Sequence, residues 1–126
     1  MRIIFIFFLC VSLNAQEIIW THNSPIIRTF SSPRTTDLNN DGIKDIILGG
    51  GVEGFPTPYG VNAIDGYNGE TLWTVTTRNE MFTSPQFYDF DNDNIDDIVI
   101  GGRDAELRLI SGATGQVIWE FWDNED

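Results

Sequence analysis

The residues best suited to chemistry are carboxylates and amides placed at alternate positions of two nine-residue segments. Asp37, Asn39, Asp41 and Asp45 occupy positions 1, 3, 5 and 9 of the first; Asp89, Asp91, Asp93 and Asp97 do the same in the second. Alternate spacing in a tight loop turns such side chains towards one centre. The backbone carbonyl at position 7, from Ile43 or Ile95, can point the same way. Several oxygens on a flexible loop, with no His or Cys nearby, describe a site for a hard cation. Ca²⁺ is the expected ion, one per loop, because it accepts about 6–8 oxygens at roughly 2.3–2.6 Å without strict geometry. Mg²⁺ demands a regular octahedron and is the second choice, while Zn²⁺ favours nitrogen and sulfur. Position 6 carries a backbone requirement: Gly42 adopts the left-handed conformation freely, and Asn94 tolerates it well. Without a cation, the clustered carboxylates of each loop repel at close range.

These loops sit in a chain that repeats itself. At an offset of 52, Ser32–Gly50 matches Ser84–Gly102 with ten identities in nineteen positions. At an offset of 46, Ile64-Asp65-Gly66 through Gly69 to Trp73 becomes Ile110-Ser111-Gly112 through Gly115 to Trp119. Two ordered blocks of similarity make a duplication. The change of offset is a six-residue insertion in the first copy within Gly51–Gly60, whose Gly and Pro content predicts a loop, with Pro56-Thr57-Pro58 solvated.

Each copy holds short runs of β-branched and aromatic residues separated by Gly, Asn and Asp: Ile46–Leu48, Val61–Ile64 and Leu72–Thr76, then Ile98–Ile100, Leu107–Ile110 and Val117–Phe121. No segment has a helical apolar period. Asn68-Gly69 and Thr114-Gly115 stand where a hairpin turns. A period near 50 residues with four short strands per copy predicts an all-β chain of β-propeller blades. Blade one is expected over about residues 21–76 and blade two over about 77–122. Glu17–Trp20 reads as an orphan fourth strand at the N-terminus, and the chain as the first part of a longer propeller. Trp20, Trp73 and Trp119 close matching strands, so they are expected to pack between blades.

Composition narrows the partners. With 126 residues, a formal net charge of −12 and 41% hydrophobic residues, the chain has the apolar content for one modest domain. Its few basic residues lie scattered among acids, which argues against nucleic acid and against an anionic membrane surface. Residues 1–15 read as a signal peptide: Met1-Arg2, the apolar run Ile3–Val11, then cleavage after Ala15. That run is too short to span a bilayer, so membrane insertion is not expected. The product is expected to be secreted or held at the cell surface. Cys10 lies inside the leader after the bulky Leu9, which speaks against lipidation, and residues 16–126 contain no cysteine. An exported chain without disulfides needs another staple, and metal would serve.

The loop pattern D-x-[DN]-x-D-[GN]-x-x-D, followed by an apolar strand and Gly-Gly, resembles the FG-GAP (VCBS-type) repeat of integrin-alpha-like propellers. The block Ile-[DS]-Gly-x-x-Gly-x-x-[LI]-Trp is similar to PQQ-like repeats as well. The resemblance covers roughly Trp20–Trp122 and implies peripheral Ca²⁺ at the loop positions above. It implies a secreted, non-catalytic scaffold for adhesion or recognition of an extracellular protein or glycan. The alternative is a fragment of a PQQ-like or carbohydrate-active propeller enzyme. Glu53, Glu70, Glu80 and Glu106 have no spacing that singles out an acid–base pair, and His22 has no nucleophile pattern beside it and is expected on the surface. Uncovered blade faces invite self-association, or the remaining blades of a longer chain.

Overall fold

The computed structural model describes residues 17–24 and 28–123, which form an all-β molecule with two four-stranded antiparallel sheets. Residues 1–15, expected to be a leader and including Cys10, and residues 124–126 lie outside the described residues. Strands β1 (Arg34–Thr36), β2 (Asp45–Gly49), β3 (Thr57–Ile64) and β4 (Thr71–Thr77) make the first sheet in that order. Strands β5 (Gln86–Tyr88), β6 (Asp97–Gly101), β7 (Leu107–Ile110) and β8 (Val117–Phe121) make the second. The six β-branched and aromatic runs between Ile46 and Phe121 all lie in strands. The short β1 and β5 each pair with the strand after them, and the Asp-rich loops are the turns that join those pairs.

Two expectations about strands are corrected. Thr57–Gly60 is not a solvated loop: it extends β3, with Thr57 buried and paired to Thr77. Only Gly51–Pro56 loops out, closed by a bridge between Val52 and Phe55. Glu17–Trp20 is not a strand, and Ile18 and Ile19 are exposed. Strand geometry needs an edge to bond with, and among the described residues no strand pairs with these four.

The core lies between the sheets. Residues that pair directly across strands share a face, so the register Ile47–Ala63–Trp73, with Val61–Val75 beside it, defines the inner face of the first sheet. Against it lie Met81, Ile98, Ile100 and Ile110, all buried. Arg108 is buried at the same seam; its guanidinium pairs with Glu106 and Glu120 and donates to the Thr76 carbonyl of the first sheet at 3.0 Å. Burying a guanidinium is costly unless it is paired, and these contacts pair it.

The tryptophans lock the layers. The Trp73 indole donates to the Gly112 carbonyl at 2.8 Å and lies over Gly115. A Cβ on Gly115 would sit 2.7 Å from Trp73 Cγ, so glycine is required there by space as well as by its φ of 72°. Trp20 makes the same contact one step earlier, donating to the Gly66 carbonyl at 3.0 Å and lying over Gly69. His22 is half-buried rather than on the surface, with Nδ1 at 2.8 Å from the Gly69 carbonyl oxygen.

Candidate metal centre

Both loops fold through the same hydrogen bonds, and the chemistry of Asp and Asn explains why. Their short side chains accept from backbone N–H groups two to five residues ahead and so turn the chain locally. In the first loop Asp37 Oδ2 accepts from Gly42 N at 2.9 Å, Asn39 Oδ1 from Asp41 N at 3.0 Å, and Asp41 Oδ1 from Ile43 N at 2.7 Å. In the second, Asp89 accepts from Asp93 N and Asn94 N, Asp91 from Asp93 N at 3.1 Å, and Asp93 from Ile95 N at 2.8 Å. Gly42 and Asn94 take positive φ at position 6 as expected, at 84° and 69°. Asn40 and Asn92 do so as well, at 59° and 63°. The signal for these was an asparagine at position 4 of both loops, the residue most tolerant of that backbone after glycine.

Asp45 and Asp97 are fully buried and hold more than a loop. Asp45 Oδ2 accepts from Leu38 N at 2.8 Å and its Oδ1 from Gly66 N at 3.0 Å. Asp97 does the same with Phe90 N at 2.9 Å and Gly112 N at 3.2 Å. One carboxylate therefore ties the start of each Asp-rich loop to the distant hairpin turn of its own sheet. Nothing in a nine-residue spacing reveals the second partner. Asp96, at position 8 of the second loop, accepts the Thr36 hydroxyl at 2.6 Å and so ties the second loop to the strand that leads into the first.

The described residues contain one group of three acids able to share an ion: Asp89, Asp91 and Asp97 each offer an oxygen, all within 4.8 Å of one another. Both oxygens of Asp89 and of Asp97 accept one amide each, which leaves lone pairs for a cation. Asp93, at position 5, is not in that group. In the first loop the position matching Asp91 is Asn39, so fewer charges converge, and Asp37, Asp41 and Asp45 are not drawn together in the same way. Asp37 Oδ1 is nonetheless buried with no hydrogen-bond partner. A carboxylate oxygen buried without a donor is unfavourable, and a cation would satisfy it. Ile43 is exposed and Ile95 packs at the edge of the core; the amides of both are bonded by the position-5 aspartates.

The Asp91 carboxyl is held above its ordinary pKa, first by desolvation among the loop atoms, opposed by the Asp93 amide, and then by the charges of Asp93, Asp97 and Asp89. A folded-state pKa above the unfolded one means that folding favours the protonated form. The metal-free protein therefore loses this stability as pH rises through the carboxylate range into the raised folded value. Asp91→Asn should accordingly stabilise the chelator-treated protein at neutral pH while weakening cation binding by roughly tenfold or more, since charge count tunes such sites. Thermal melts with and without chelator check the paired signs; loss of stability in chelator would contradict them.

No protein-family model, curated protein or solved structure matches the chain. No helix among the described residues is long and apolar enough to cross a membrane.

Proposed function

We propose that the chain is a secreted calcium-binding module of β-propeller repeats, non-catalytic, serving as a scaffold for adhesion or recognition of an extracellular protein or glycan. The Ca²⁺ is structural. One observation supports this most: three carboxylates, exposed Asp91, half-buried Asp89 and buried Asp97, converge within 4.8 Å with no nitrogen or sulfur ligand in the group. An all-oxygen set suits Ca²⁺ best and Mg²⁺ second. The orphaned oxygen of Asp37 in the matching loop supports a second site. Two sheets in the same strand order fit the blades of a propeller.

Calorimetric titration of the purified protein with Ca²⁺ and Mg²⁺ tests the reading. We expect up to two Ca²⁺ per chain, with dissociation constants on the order of 10⁻⁴–10⁻³ M as in other extracellular modules. The melting temperature should rise with the ion, because a ligand that binds only the folded state stabilises it. Asp89→Ala should remove the site in the second loop, and Asp37→Ala the one in the first. A flat Ca²⁺ titration of folded protein would end the metal assignment.

A further inference from the structure

The two sheets show one face in two conditions, covered and bare. The inner face of the first sheet carries Leu38, Val61, Trp73 and Val75, and the second sheet covers it. Leu38 is 3% exposed, Val61 0% and Val75 5%. The matching positions of the second sheet are Phe90, Leu107, Trp119 and Phe121, and they are 50%, 37%, 44% and 57% exposed. The register places them together: Leu109 pairs with Trp119, Leu107 with Phe121, and Val99 with Leu109. Val99 is half-buried and Leu109 buried in the middle of this row. Tyr88 extends the patch, its ring 4.9 Å from that of Phe90 in an edge-to-face arrangement, and it too is exposed. A contiguous apolar surface of this kind marks an interaction site.

The contact already present in the molecule identifies what fits this surface. The first sheet's inner face lies on the side of the second sheet that presents Ile98, Ile100 and Ile110, and Trp73 sits on the Gly112 carbonyl. The first sheet presents a matching side: Ile46, Leu48 and Ile64, with the Gly66 carbonyl at the turn. Ile46 and Leu48 are only half-buried. That turn is occupied by Trp20, which uses the same donor atom and acceptor as Trp73. The chain thus carries one more tryptophan of this kind, Trp119, than it has turns to receive them.

We propose that the exposed face of the second sheet, centred on Trp119 and Phe121, packs on the first sheet of a second copy of the chain. The contact repeats between molecules the one the two sheets make within a molecule, and Trp119 of one copy takes the seat that Trp20 holds in the next. The contact is head-to-tail. Each pair leaves one donor face and one acceptor face free, so growth continues until the ring closes or an open filament forms.

Sedimentation velocity of the purified protein in chelator, over a broad concentration range, tests the assembly separately from the cation reading. We expect a concentration-dependent population that extends beyond a dimer. Phe121→Glu places a charge in the exposed face without touching the core; it should keep the monomer's circular dichroism and melting temperature and weaken association at least about tenfold. Trp20→Ala empties the seat and should strengthen association. A monomer at every concentration, association indifferent to Phe121→Glu, or a folded Trp20→Ala protein that associates no more tightly would each overturn the proposal. The last result, with a dimer as the largest species, would point instead to two copies meeting face to face.

Discussion

Asp45→Ala should destabilise the protein by about 2–4 kcal/mol, because it strands the buried Leu38 amide, at roughly 1–3 kcal/mol, and the half-buried Gly66 amide at less. The Leu38 and Gly66 N–H groups both end on this carboxylate, and its side chain is fully buried. At about 4–8 °C per kcal/mol for a domain of this size, the melting temperature should fall by roughly 10 °C or more. Asp45→Asn keeps one acceptor oxygen but presents an amide NH₂ to the other N–H, so it should recover only part of the loss. The informative condition is chelator. If Asp45 acts chiefly as an anchor between loop and hairpin, the deficit persists without any divalent ion. A variant within about 0.5 kcal/mol of the parent in urea denaturation would show that the anchor is redundant.

Trp73→Ala should cost about 2–3 kcal/mol, below the range of roughly 3–5 kcal/mol for a fully buried aromatic, because the indole is half-buried against the core. The indole fills the seam between the sheets, and its N–H is the donor to the Gly112 carbonyl. The same substitution at Trp119, on the bare face, should cost less than about 1 kcal/mol at dilutions where the chain is monomeric. Equal losses at the two positions would mean that indoles stabilise within each sheet rather than between sheets. Both variants are to be read by urea denaturation with a constant slope, so that altered midpoints report stability alone.

How far the sequence carried the fold can be judged from particular residues. The runs at Ile46–Leu48 and Ile98–Ile100 were legible as strands because β-branched residues bounded by Gly and Asp leave few alternatives. Arg34–Thr36 and Gln86–Tyr88 carry no such signature; they are strands because an Asp-rich turn delivers them to the edge of β2 and β6. Thr57–Gly60 looked like loop because Pro56 precedes it and Pro58 lies within it, yet its pairing with β4 prevails. Glu17–Trp20 has strand composition and no edge to join. In the candidate site, alternate spacing marked Asp89, Asp91 and Asp97, which the structure does bring together. It equally marked Asp93, which the structure leaves outside that group. The reach of Asp45 and Asp97 to Gly66 and Gly112 depends on tertiary proximity, which spacing within a loop does not encode.

The seat of an indole on a glycine turn also acts as a protractor. A ring lying flat on a turn that has no side chain, with its N–H aimed at one carbonyl, leaves the incoming layer little freedom to swivel. Trp20 and Trp73 meet their turns through identical atoms. Any further layer added through this joint would be set at nearly the same angle as the last, so curvature becomes a property of a single tryptophan–glycine pair. Replacing Gly115 by a bulkier residue would lift the ring off its turn and alter the bend of everything built beyond it.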